Sequence, residues 1–498
     1  MPSRDNLETR IVELAARDLP LARELLRDVI RVPLHHLDED PSSGLSNHEG
    51  PRLELLHQAI VLLGAVEHPS DVWFDDVGNL VWEVRGDDPR HVIWMDGHSD
   101  TVRALRSQWH DKLHGIDPYE GLVDLAAVDE AALRAELGWL PPREEWDQLV
   151  FGRGAADQLA GVVSQVFVTK LLRELRDDGA LDGVTVRAIA TVAEEDNDGG
   201  APMHLLRSTA PADLPEVVLI TEGTGDARKG ALGIYRGQRG RMQIEVTVTG
   251  RSAHGSMPWE GVNPLEHGAA ILVEAARRYD ERDGFVDHPF LGHGTRTASW
   301  ARLDTPSDCA VPERFVFRFD RRLTVGETAE QALADVAGLD AVAAARAAGC
   351  VVEVAVPTYA QQTWKGATIE NPQIYPGWLT PEDHPAVRAM VDAYGAVVTP
   401  HVAAGAEGAT LRAEPRVDRW IFSTDGVGYP VATGSLPVPA DKGWVDAGAV
   451  VHPAMVGIGA GVEQNTHKVG EYVDLRELQH AIAVLTAFPQ RYVAARRA

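Results

Sequence analysis

Cysteine is nearly absent: Cys309 and Cys350 are the only two in 498 residues. No disulfide framework can hold such a chain together, and a reducing cytoplasm is the expected setting. Long apolar runs are missing too. No stretch approaches the roughly 20 consecutive apolar residues that a membrane-spanning helix needs, so no membrane partner is expected. The opening "MPSRDNLETRIVELAARDL" is charged throughout and lacks the apolar core of a secretory signal. Positive charge is in short supply: 47 Lys and Arg stand against 74 Asp and Glu, a formal charge of −27. A surface of that sign repels nucleic acid. That charge describes solubility, not a partner.

What the chain does have is ordinary hydrophobic content, 44 %, and a length too great for one core. The first part alternates helical and strand patterns. "TRIVELAARDLPLARELLRDVI" and "PRLELLHQAIVLLGAV" space their apolar residues for helices, as does the stretch 159–175. Between them lie short β-branched runs, "VWFDD", "NLVWEV", "HVIWM", "TVRAIATVA" and "EVVLIT". This predicts a doubly wound α/β domain with a mainly parallel sheet. Near residue 235 the period changes to two, in "RMQIEVTVTG" and "ERFVFRFDRRL", with helices expected over 264–279 and 327–348. An inserted α+β domain is expected over 235–365, with the α/β domain occupying 1–234 and resuming over 366–498.

The chemistry-bearing residues fall at one kind of place on this map. His98 and Asp100 follow "HVIWM", Asp157 lies in "LVFGRGAADQLAG", and Glu194-Glu195 end "TVRAIATVAEED". Glu222 follows "EVVLIT", and His467 comes after the apolar run 454–460. Ligands of open α/β sheets bind beyond the carboxyl ends of the strands, so these clusters point at one crevice. A single His or Asp after a strand is more often a satisfied loop residue than a ligand. Several such residues at equivalent positions, two of them adjacent carboxylates, are costly to bury unless a cation receives them.

The string "GHSDTV … GRGAADQLAG … AEED … TEGTG … SAHGSMP … DRRLTVGET … NTHKVGEYV" resembles the co-catalytic metallopeptidases. That family includes aminoacylase, carboxypeptidase G, acetylornithine deacetylase and succinyl-diaminopimelate desuccinylase. "YRGQRGRM" and "DRRLTVGET" look closest to its selenium-metabolism-linked hydrolase branch. The resemblance implies two divalent ions, Zn²⁺ first and Mn²⁺ or Co²⁺ as alternatives, bridged by Asp157. His98 and Glu222 would share one ion, Glu195 and His467 the other, with Asp100 orienting His98. Glu194 would act as general base and then acid, activating a bridging water for attack on an amide carbon. His254 would cross to a neighbouring subunit's active site and donate to the oxyanion, which makes the insert a lid and dimerisation domain. Arg322 would grip a substrate carboxylate, and Asn263 is either a substrate contact or a helix N-cap.

The expected activity is hydrolysis of a C–N bond in an N-acyl amino acid, a dipeptide or a related small amide. Hydrolytic deamination or cyclic-amide opening is the alternative. A two-metal phosphoesterase and a non-catalytic binding protein rank lower, since fold alone does not fix function. The segment between His98 and Asp157 is longer than is usual in the family. Trp109, His110, His114, Tyr119, Trp139 and Trp146 crowd into it, as a substrate wall, an interface or a small core of their own. A Gly- and Pro-rich loop over 429–453 is expected to border the site.

Overall fold

The computed structural model describes residues 4–36, 46–123, 128–403 and 411–497. Its larger sheet runs in the order Val72–Phe74, Leu80–Arg85, Val184–Thr191, His91–His98, Val217–Ile220, Ala454–Gly457, Ile234–Gln238 and Trp378–Leu379. Val417–Trp420 also pairs with Ile234–Gln238. The centre is parallel, because His91–His98 lies between Val184–Thr191 and Val217–Ile220, which in turn pairs with Ala454–Gly457. Leu80–Arg85 and Trp378–Leu379 add antiparallel margins.

Strands covered on both faces read as unbroken apolar runs, and every residue of Val184–Thr191 is buried. Ile93, Met95, Val217 and Leu219 face the core formed with helices Arg4–His36, Ala160–Glu174, Pro385–Val397 and Leu475–Arg497. Trp94, Val218 and Ile220 face the other way, onto Trp378, Trp420, Tyr429 and the helix Gly200–Ser208. This is the doubly wound α/β arrangement expected from the sequence.

The smaller sheet is antiparallel, ordered Thr295–Asp304, Arg314–Leu323, Gly240–Thr249 and Val351–Ala355, with Ile374–Tyr375 added to Gly240–Thr249. Along Gly240–Thr249 buried residues alternate with half-buried ones. The inward set, with Phe315, Phe317 and Phe319, packs under helices Pro264–Asp280, Ala329–Ala337 and Asp340–Ala347. The chain passes from large sheet to small between Gln238 and Gly240, and returns between Tyr375 and Trp378. The two crossings touch: a Cβ on Gly240 would lie 2.3 Å from the Tyr375 carbonyl oxygen.

The long segment after His98 makes a satellite core. Trp109, Leu113, Leu133, Leu137 and Trp146 are buried there together with Leu149, Phe151, Val469 and Tyr472. Residues 124–127 of its expected helical half lie outside the described residues. The segment 429–453 carries a small sheet of Val431–Ala432, Val450–His452 and Val445–Asp446.

Candidate metal centre

The topology carries each cluster to the same end of the large sheet. His98 closes its strand, and the neighbouring strand ends at Thr191, just before the turn Glu194–Asn197. Glu222 lies two residues beyond Ile220. Asp157 sits in the turn Ala155–Leu159 that leads into the helix Ala160–Glu174, and the peptide bond after it is cis. His467 occupies the connection between Ala454–Gly457 and Tyr472–Asp474.

Asp157 stands between the two imidazoles. Its Oδ1 is 3.0 Å from His98 Nε2 and its Oδ2 is 3.0 Å from His467 Nε2. Glu222 Oε2 approaches His98 Nε2 at 3.7 Å, and Glu195 Oε2 approaches His467 Nε2 at 3.2 Å. Glu194 Oε2 lies 3.9 Å from His98 Nε2. One ligand atom each from His98, Asp157 and Glu195 lie within 4.8 Å of one another. The structure therefore gathers Asp157, Glu195, Glu222, both imidazoles and Glu194 around one centre.

Asp100 supports that centre from behind. His98 Nδ1 lies 3.1 Å from the Asp100 backbone carbonyl oxygen and 3.3 Å from Asp100 Oδ1, which turns Nε2 toward Asp157. The same carboxylate accepts the backbone N–H groups of Glu194 and Glu195, each at 3.1 Å, and the Ser46 hydroxyl at 2.5 Å. Orienting partners of this kind typically carry about 10–100-fold in metal affinity. Asp100→Asn, which replaces one acceptor oxygen by a donor, should weaken divalent-cation binding by about that factor. Chelator competition checks it.

The sequence reading missed several buried groups nearby. Glu49 accepts the N–H of Ala193 at 2.9 Å, holding the residue before Glu194 at a φ of 59°. Burial first, and the Asp100 charge second, push the Glu49 carboxyl up to about 8. Asp96 accepts the Tyr429 hydroxyl at 2.5 Å, and Asp425 accepts the Thr191 hydroxyl at 2.9 Å. Strand alternation places Trp94, Asp96 and His98 on one face, a signal that could have flagged Asp96. Nothing local marks Glu49 or Asp425.

The electrostatics are those of a cluster short of positive charge. Burial raises the Glu194 and Glu222 carboxyls well above the usual range, and neighbouring carboxylates add to it. Asp157 is driven the other way: despite burial, His467 and His98 hold it well below the usual range. Against the effect of its own burial, His467 rises to about 11 beside Asp157 and Glu195. Glu222 Oε2 is buried without a hydrogen-bond partner. Oxygen and nitrogen donors without sulfur, one of them an orphaned buried oxygen, fit divalent cations of the zinc, manganese or cobalt kind.

The remaining candidates lie elsewhere. His254 is exposed at the end of Ala253–His254, and its Nδ1 accepts the Ser256 hydroxyl at 2.8 Å. Asn263 accepts the backbone N–H of Leu265 at 3.0 Å and caps the helix Pro264–Asp280. Arg322 spans Asp320, at 2.7 and 3.1 Å, and the Ser423 hydroxyl, at 2.8 Å. Ser423 in turn meets Asp198, which follows the Glu194–Asn197 turn and also pairs with Arg241. Arg322 thus stands where the small sheet meets the crevice.

A family profile described as "Peptidase family M20/M25/M40" matches residues 132–491. The chain belongs to this family. The M20 match takes in Asp157, Glu194, Glu195, Glu222 and His467, and begins after His98 and Asp100, which geometry brings to the centre. "Uncharacterized protein YgeY" of Escherichia coli (strain K12) is 33 % identical over 423 residues, 85 % of this chain and 86 % of that one. A "Probable succinyl-diaminopimelate desuccinylase" of Staphylococcus aureus (strain MRSA252) is 34 % identical over 138 residues, 28 % of this chain and 30 % of the other. Among solved structures, the dipeptidase Dug1p of Saccharomyces cerevisiae superposes with a TM-score of 0.63 at 13 % identity, covering 98 % of both chains. Human carnosine dipeptidase 1 gives 0.60 at 14 %, covering 98 % of this chain and 100 % of the other. These two show the shared fold. Family membership makes this M20 chain a metal-dependent hydrolase of amide bonds.

Proposed function

We propose that the protein cleaves the C–N bond of a small amide, an N-acyl amino acid or a dipeptide, at a pair of divalent cations, zinc foremost. The observation that carries this reading is the Asp157 carboxylate, with one oxygen 3.0 Å from each imidazole. A carboxylate so placed suits a bridge, with His98 and Glu222 completing one site and Glu195 and His467 the other.

When bound, such cations supply Lewis acidity, making a water acidic and polarising an amide carbonyl. The chain's own residues do the rest. Asp100 holds His98 in orientation. Glu194 Oε2 takes a proton from the attacking water and delivers it to the departing nitrogen. Arg322 and Asn263 are the proposed substrate contacts, Arg322 through a carboxylate of the substrate. Thr295–Asp304 is an edge of the small sheet, with Trp300 and Leu303 exposed on it. Such an edge suits a second copy of the chain, which would allow His254 to reach a neighbouring crevice.

The test is metal analysis of the purified chain alongside a screen of amides. Release of a free amine and a carboxylate is the expected outcome. Turnover of phosphate esters alone, or release of ammonia alone, would overturn the assignment.

Zinc uptake should also expel protons. His467, raised to about 11 beside Asp157 and Glu195, holds a proton at neutral pH in the metal-free chain, and burial raises Glu222 as well. Ligand lone pairs become available only as those protons leave, so affinity should fall as pH falls. Titration calorimetry in buffers of different ionisation enthalpy measures the proton count, and a count of zero would contradict the cluster's charge balance.

A further inference from the structure

We propose that the buried Arg153–Glu471 pair is a positioning clamp that fixes His467 relative to Asp157, and that the described residues 103–123 and 128–147 are its foundation. The inference rests on the reading of Asp157 and His467 as metal ligands.

The pair is almost sealed from solvent, with side-chain exposures of 4 % and 0 %. Glu471 Oε1 accepts the backbone N–H groups of Ala156 at 3.0 Å and of Asp157 at 3.1 Å. Its other oxygen meets Arg153 Nη1 at 2.5 Å. Arg153 Nη2 then donates to the backbone carbonyl of His467 at 3.2 Å. One ion pair therefore grips the peptide of one ligand and the carbonyl of another, across more than 300 residues of sequence.

His467 needs such a grip. Its φ of 64° is a left-handed conformation that L-residues leave unless surrounding contacts impose it. A buried ion pair is by itself weak evidence for stability, because desolvation offsets the attraction. Here the hydrogen bonds it makes go to the backbone of ligand-bearing loops, which gives it a purpose other than stability.

The satellite core lies directly beneath. The Arg153 guanidinium sits 6.0 Å from the centre of the Trp109 ring. The Arg153 backbone N–H donates to the Pro118 carbonyl at 2.7 Å. Gly470, three residues past His467, is packed against Leu133 so closely that a Cβ would lie 2.2 Å from Leu133 Cδ1. The apolar residues of this segment thus floor the His467 loop.

Asp100 supports His98 and Arg153 supports His467, while Asp157, held by Glu471, is common to both proposed sites. Glu471→Gln keeps an acceptor oxygen for the Ala156 and Asp157 N–H groups, so removing the ion pair bears chiefly on His467. Loss of the clamp should therefore affect them unequally. In the double variant Arg153→Met/Glu471→Gln, which removes both buried charges together, zinc affinity of one site should fall about 10–100-fold. The other site should change far less. Chelator competition and native mass spectrometry read the two affinities, and thermal unfolding of the metal-free chain should match wild type. Arg153→Lys, which keeps the charge but loses the fork, should shift the same site in the same direction, and it carries the test if the double variant does not fold. Wild-type affinity at both sites, or an equal loss at both, would overturn the clamp. Failure of the wild-type chain to bind zinc would instead overturn the ligand reading beneath it.

Discussion

Glu194→Gln should leave the cation content of the chain unchanged and lower turnover by about 10²–10⁴-fold, the range for a lost general acid–base group. Glutamine keeps the shape of the side chain and cannot accept the proton. The native carboxyl is suited to the task by its surroundings. Burial raises it first, His98 opposes, and Glu195, Asp425 and Asp100 push it further up. Cations bound alongside would oppose that rise by favouring the carboxylate. Glu194 and Glu222 approach the same His98 Nε2 at 3.9 and 3.7 Å, so the variant also tests which of the two carboxylates is the ligand. Metal content per chain and kcat on the best amide separate the roles. Full turnover in the Glu194→Gln variant would assign proton transfer to another group, whereas lost metal would make Glu194 a ligand.

The second large effect concerns Asp157. If Asp157 bridges the proposed pair, Asp157→Asn should release both cations and reduce turnover to background. Each oxygen of Asp157 serves a different imidazole, and asparagine offers a lone-pair oxygen to one side only while turning an NH₂ group to the other. The loss should exceed the about 10–100-fold that follows removal of an outer hydrogen-bond partner. In the metal-free chain the same change should lower the raised His467, because Asp157 is its strongest support against burial. Metal stoichiometry and an NMR titration of the His467 ring give the two readouts. Retention of one tightly held ion would show that Asp157 serves a single site.

Much of this was visible in the sequence, for physical reasons. Fully buried parallel strands leave runs such as "HVIWM" and "TVRAIATVA", and the polar residues that follow mark the crevice because strand ends in such sheets have a fixed sense. The two-residue period of "ERFVFRFDRRL" forecast a sheet with one covered face, and Phe315, Phe317 and Phe319 are that face. The helix expected over 327–348 is two helices, Ala329–Ala337 and Asp340–Ala347. Gly338 breaks the first, as its low helix propensity requires, and buried Leu339 turns the chain inward. The supports of the site were not legible. Glu49, Asp425 and Glu471 each meet a partner more than 140 residues away, and no local pattern announces such a meeting. Asn263 shows the opposite case: its position before Pro264 predicted a cap, and its carboxamide makes one.

The contact between Gly240 and the Tyr375 carbonyl gives the molecule a narrow waist. Both covalent links to the small-sheet domain leave the large one side by side, so few backbone torsions can alter the angle between the bodies. Arg322, Ser423 and Asp198 add a polar tie between the small sheet and the rim of the crevice, away from that waist.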